Sequence, residues 1–214
     1  MTTLSLPEEF VLLLHKPNGS YHASSNHVGA AELGELVLTG RVGIEDKKLR
    51  VLDAAPSGTA WIDESIALIT RKAGAKGKPV PATTYIQSRG PARKQHAEAL
   101  AARGLVRHER TKWLMFTSNS FTPDPGTRDA LIARVRAAAR NEVELDERLA
   151  LLAALVHATG LHSHFGLDRA ERKRLKEISK GEQLGDAVRD VIAQTTAIIA
   201  VTAAVSASAG TAGS

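Results

Sequence analysis

Ser5-Leu-Pro-Glu-Glu-Phe-Val-Leu-Leu-Leu14 starts the first readable element and sets the class of the fold. A serine followed three residues later by Glu8, directly ahead of the apolar run Phe10 to Leu14, is the signature of a capped helix start. Pro17-Asn18-Gly19 then predicts a turn. Beyond it, Val28, Ala31, Leu36 and Leu38 make one apolar face of a second helix over 27–39, which Gly40 terminates. Val42-x-Ile44 and Leu49-x-Val51 alternate about Glu45 to Lys48 and predict a short β-hairpin.

The same reading continues outward. Pro56-Ser57-Gly58 turns the chain into a helix over 60–71 with Trp61, Ile62, Ile66 and Ile69 inward. Gly74 to Pro81 reads as a loop, and Pro91 opens a helix that runs to Arg103 and stops at Gly104. Leu105 to Phe116 is expected to be a second hairpin with a polar tip at Glu109 to Lys112. Helices follow over 126–141, 146–159, 168–179 and 184–204. No internal repeat or domain boundary is visible. The expectation is a mainly α protein with small hairpins, one domain over 1–206 and a flexible tail over 207–214.

Charge is distributed unevenly. Between Ser65 and Ala97 stand Arg71, Lys72, Lys76, Lys78, Arg89, Arg93 and Lys94 with no acidic residue, whereas the rest of the chain holds 21 basic and 23 acidic residues. A local basic field predicts an anionic partner. Lys76 and Lys78 fit a solvated loop. Arg89, Arg93 and Lys94 flank a helix start, where unbonded N–H groups and the positive dipole end also favour phosphate, so these three are the candidate site. Arg71 and Lys72 add a diffuse field.

Much chemistry is excluded. The 214 residues contain no cysteine, hence no disulfide, no thiolate nucleophile and few routes to structural zinc. This fits a reducing interior. Met1 to Glu9 has neither the basic nor the apolar region of a secretory signal. Val191 to Ser214 carries no charge, but its Gln, Thr and Ser residues favour a buried helix and frayed tail over a membrane span. His162-Ser-His164 with His157 lacks carboxylate partners and reads as a surface cluster rather than a metal site. Glu142, Glu144, Asp146 and Glu147 place negative charge at a helix start. Neither a nucleophile elbow nor a phosphate-binding glycine loop is present. No enzyme, cofactor or metal is expected.

A rival reading is a winged helix, with Arg93 and Lys94 on the recognition helix and Arg107, Arg110 and Lys112 on the wing. Against it stand the Gly/Pro-rich segment ahead of Arg89, the Gly90-Pro91 helix start and the apolar run Trp113-Leu-Met-Phe116. That run suits a buried or self-associating surface better, so nucleic acid is the disfavoured partner.

The ordered motifs Leu4-x-Leu6-x-Glu8-Glu9, Glu35-Leu-x-Leu38-x-Gly40-Arg41, Pro56-Ser-Gly58, Asp63-Glu64, Leu100-x-x-Arg103-Gly104-Leu105-Val106 and Arg148-Leu149-x-x-Leu152 together resemble the Golgi phosphoprotein 3 (GPP34) family. The Ala-, Arg- and Gly-rich composition fits a bacterial member. The resemblance implies a helical bundle with amphipathic helices outside and a self-associating hairpin, here Leu105 to Phe116 with Arg107, Arg110, Lys112 and Trp113. It also implies peripheral attachment to membranes through phosphatidylinositol 4-phosphate, and partner proteins retained there. Of the family's headgroup pocket, Arg93 occupies one basic position. The other falls on Gly90, with Arg89 beside it. No Trp or Arg stands between Ser20 and Gly29, where Tyr21, His22 and His27 are the nearest substitutes. The expectation carried forward is a non-enzymatic module at the cytoplasmic face of a membrane. It takes an anionic phospholipid or phosphoinositide headgroup through Arg89, Arg93, Lys94, Arg71 and Lys72. A homo-oligomeric interaction scaffold is a further alternative.

Overall fold

A helix that is apolar on every side has no face to give to water and must be enclosed by others. Leu6–Leu14, here α1, is such a helix: all nine of its residues are buried. The computed structural model describes residues 4–22, 27–113, 116–181 and 192–193. Around α1 pack α2 (His27–Leu38), α5 (Ala92–Ala102), α6 (Pro125–Ala139) and α7 (Glu147–Ala158). Between α2 and α5 the chain runs through β1 (Val42–Glu45), β2 (Lys48–Val51), α3 (Ala60–Ala73), β3 (Val80–Pro81) and α4 (Ala82–Ser88). After α5 come β4 (Val106–Trp113) and β5 (Phe116–Pro123), and after α7 a 3₁₀ turn at Leu161–His164 and α8 (Arg169–Ile178). The mainly α expectation holds. Each fully buried Leu, Val or Phe of α1 contributes roughly 1.5–3 kcal/mol.

The start of α1 is where that burial is most demanding, because its first N–H groups have no intrahelical acceptor. Glu35 of α2 accepts the Leu6 N–H at 2.7 Å, and Glu8 accepts the Ser5 N–H at 2.8 Å. Three arginines from three other segments then meet the carboxylates gathered there. Arg148 donates to Glu35 at 2.6 Å, Arg103 to Glu8 at 2.7 Å and Arg134 to Glu9 at 3.2 Å. Burial holds the Glu9 carboxyl above its usual range, only partly opposed by Arg134 and Arg148. The helix dipole favours this negative cluster.

Several expectations are corrected. Ala82–Ser88, a stretch to which the sequence assigns no element, forms α4, which buries Ala82, Tyr85 and Ile86. β3 adds a third strand to the first hairpin by pairing with Lys48 and Leu49. The second hairpin is longer than its sequence suggests. Glu109 to Lys112 is not a tip but paired strand, in register from Val106↔Pro123 to Trp113↔Phe116. Trp61 and Ile62 are half-buried, while Ile66 and Ile69 reach the core. The expected helix over 184–204 (apart from the helical pair 192–193), the tail over 207–214 and the uncharged C-terminal run lie outside the described residues. Among the described residues no helix is long and apolar enough to cross a membrane.

Glu35→Ala removes the acceptor of an N-terminal amide and the partner of Arg148 together. It should cost about 2–4 kcal/mol in urea unfolding. A loss below that range would show that the start of α1 does not depend on this carboxylate.

Candidate anion-binding site

The chain leaves α1 through a short loop whose geometry is fixed by its own polar groups. His15 bridges to Tyr21, the Lys16 N–H donates to the Ser20 carbonyl at 2.7 Å, and Asn18 Oδ1 accepts from the Ser20 N–H and hydroxyl. Gly19 turns it with φ +77°, and a Cβ there would come within 2.6 Å of Ser120 Oγ on β5. The backbone conformation favours glycine, and any side chain there would have to displace the Ser120 hydroxyl. The loop presents Tyr21, with the His15 ring 4.4 Å away on one side.

Arg93, in the first turn of α5, lays its guanidinium over the Tyr21 ring at 3.7 Å from the centroid. Such a cation–π contact holds the planar fork in place without neutralising it. No carboxylate of the described residues lies within 4 Å of it. Beside it, the first-turn amides of Arg93 and Lys94 have no backbone acceptor, whereas Ala92 donates to Arg89 and Gln95 to Pro91. Arg128 donates from Nε to the His15 carbonyl at 3.0 Å. Burial, opposed by the hydrogen bond to the Val11 carbonyl and assisted to a smaller extent by the Arg93 and Arg128 charges, pushes the His15 imidazole down to about 4. His22 is pushed to about 4 by burial and by His164, Lys16 and Arg128. The loop sits in a positive field.

Arg89 is a correction. It does not stand beside Arg93 facing an anion but turns inward, 6% exposed, onto Glu32 of α2. The contact is bidentate: Nε to Oε2 at 2.6 Å and Nη2 to Oε1 at 2.7 Å. His96 Nε2 donates to the same carboxylate at 2.9 Å, and the Tyr85 hydroxyl lies 2.9 Å from the Ser65 hydroxyl and 3.3 Å from Glu32, which accepts its hydrogen. Burial acts to raise the Glu32 carboxyl, but the bonds and charges of Arg89 and His96 outweigh it and hold it below the ordinary range. Gly29 permits this approach, since a Cβ there would meet Arg89 Cβ at 2.9 Å and the Ile86 carbonyl at 3.1 Å.

The other expected residues are dispersed. Lys94 is exposed and paired with Glu98 at 3.7 Å. Arg71 and Lys72 occupy the exposed last turn of α3, alongside β2 and β3, where they complement the helix dipole. Arg107 is exposed on β4 and pairs with Glu109 at 3.1 Å. Arg110, Lys112 and Trp113 lie opposite Asn119, Thr117 and Phe116 in the ladder, and their side chains lie outside the description. His157 stacks on His162 and His22 on His164, and the described residues contain no group able to hold a metal ion. Asp146 caps α7 by accepting the Leu149 N–H at 2.6 Å.

Comparison with protein families decides the kinship. The model of Golgi phosphoprotein 3 (GPP34) matches residues 6–195. The chain belongs to the GPP34 family. Among curated proteins no relative matches it. Of the pocket positions expected from GPP34 kinship, Arg93 and Tyr21 come together in this chain. His27 is buried at the start of α2 with neither ring nitrogen bonded.

The two arginines separate by stability. Arg89→Ala leaves Glu32 buried without its main partner and should cost about 3–5 kcal/mol. Arg93→Ala should cost less than about 1 kcal/mol. Equal losses in chemical denaturation would contradict the division. Acid should also weaken the fold before its paired carboxylates titrate. Unfolded imidazoles take up protons near pH 6.5, but folded His15 and His22 do so only near 4. The unfolded chain binds more protons between those values, so stability complete above about 6.5 falls as pH drops towards 4. Urea midpoints from pH 7 to 5 should decline, less so in His15→Gln; level midpoints would contradict the burial.

Proposed function

We propose that this GPP34 chain is a non-enzymatic, peripheral membrane-binding module that takes the phosphate of an anionic lipid headgroup at Arg93. The observation that carries this reading is the Arg93 guanidinium stacked on Tyr21, unmatched by any described carboxylate and adjacent to two unbonded helix amides. A phosphate needs such a combination of charge, bidentate donors and backbone N–H groups. Lys16, Lys94 and Arg128 enlarge the positive field, with Arg71 and Lys72 reinforcing it at longer range. Near an anionic leaflet each basic residue contributes on the order of 1 kcal/mol. Several acting together hold the protein reversibly at the cytoplasmic face. In this reading the hairpin of β4 and β5 is the surface through which copies would associate.

One observation favours the winged-helix alternative. α4 stands before α5 where a supporting helix is required, and a hairpin follows. Yet on the outer face of α5 the exposed Lys94 is paired with Glu98, and the exposed Ala99 and Ala102 that follow offer no group to read a base.

Sedimentation with vesicles decides between them. The protein should pellet with vesicles containing phosphatidylserine or phosphatidylinositol 4-phosphate and stay in solution with phosphatidylcholine. Arg93→Ala should weaken binding about fivefold, in line with a loss on the order of 1 kcal/mol. Salt should release it, as screening of exposed charge requires. Retention on duplex DNA without vesicle binding would replace this reading.

A further inference from the structure

A groove runs between α3 and the segment 49–56 that precedes it, formed by two adjoining hollows of about 520 and 260 Å³ that share Thr70. Its walls are Arg50, Val51 and Leu52 on one side and Ile66, Thr70 and Ala73 of α3 on the other. From Asp63 to Ala73 the helix rises about 15 Å at roughly 1.5 Å per residue, the length of about five extended residues. Leu52 is 65% exposed, one of two large apolar side chains left so among the described residues. A single exposed leucine means little by itself. This one stands beside an open strand edge and a set of unmatched charges.

The edge belongs to β2. The Leu52 N–H donates to the Arg41 carbonyl at 2.9 Å, so the alternation of an antiparallel ladder turns the polar backbone groups of Val51 away from β1. β3 would have to receive them, but it pairs only with Lys48 and Leu49. The chain ahead of β3 is turned back on α3 instead, with the Lys78 N–H donating to the Ala73 carbonyl at 3.0 Å. Such an edge is a template for an added strand. The charge is one-sided. Among the described residues Arg50, Arg71 and Lys78, which line the groove, have no ion-pair partner, whereas Arg89, Arg103 and Arg148 each meet a carboxylate. The nearby acids are engaged: Asp53 with Arg41 at 3.0 Å, and Asp63 with the Ser57 N–H and hydroxyl at 2.8 Å. Glu45 and Asp46 lie at the hairpin turn, outside the lining.

We propose that this groove docks an extended acidic segment of a partner protein. The segment continues the sheet at Val51, sets an apolar side chain against Leu52 and pairs its carboxylates with Arg50, Arg71 and Lys78. A lipid leaflet would satisfy the charges and the leucine, but it has no main chain with which to extend β2. Docking here does not rest on lipid binding at Arg93.

Fluorescence anisotropy of the full chain with three labelled heptapeptides tests it. One alternates glutamate and valine, the second carries lysine in place of glutamate, and the third is the glutamate–valine peptide with a central proline. The first should bind saturably and weaken as salt rises, and the lysine peptide should not bind. The proline peptide, which lacks the central N–H, should bind about threefold or more weakly than the first. Arg50→Gln/Lys78→Gln should weaken binding about tenfold and Leu52→Ser about fivefold, both at an unchanged melting temperature. The double variant should still pellet with anionic vesicles as the parent chain does. Failure of the acidic peptide to saturate, or undiminished affinity in these variants, would overturn the proposal. Loss of vesicle binding by the double variant would overturn it too, by assigning the groove to the membrane.

Discussion

The carboxylate cluster at the start of α1 is the constraint on which the remaining architecture turns. A helix buried on all sides gains most of its stability from apolar contact, yet its first amides cannot be left without acceptors in a dry interior. Glu35 supplies one acceptor from a neighbouring helix, and Glu8 and Glu9 bring further charge to the same end. Those charges then require cations. Arg103, Arg134 and Arg148 come from the end of α5, from α6 and from α7, so the electrostatics of one helix end specifies the position of the helices around it. Apolar packing alone would tolerate sliding. Paired charges at fixed distances do not, because an unpaired one is costly to bury.

The same logic recurs at Glu32, and there it prepares a surface. By drawing Arg89, His96 and Tyr85 onto one carboxylate, α2 fixes α4, the turn after it and α5 as a unit. Arg93 begins α5 one turn beyond Arg89, so it inherits that rigidity while remaining outside the network. Two arginines four residues apart thus divide the work, one inward and structural, the other outward on an aromatic plate.

Much of the fold was legible because its signals are local. The Ser5–Glu8 start, the first hairpin and the helix starts at Asp146 and Asp168 each depend on residues within a few positions of them. α4 was missed because seven residues with Thr83 and Thr84 after a proline carry too little helical signal, and it is its burial against α2 that stabilises it. The second hairpin's extent was missed because a charged run, Glu109 to Lys112, resembles a turn, although it is paired as strand with Thr117 to Ser120. At the candidate site, Arg93 could be found from its place at a helix start. The inward fate of Arg89 could not, since Glu32 lies 57 positions away and nothing near either residue marks the pair. Tyr21 stood out only as a substitute for an absent tryptophan.

The contact between Gly19 and Ser120 has a mechanical implication. The turn that leads into Tyr21 is seated directly on β5, where a carbon added at Gly19 would meet Ser120 Oγ at 2.6 Å. The hairpin accordingly supports that turn. A force that bends those strands therefore reaches the turn beside Arg93 without crossing the core.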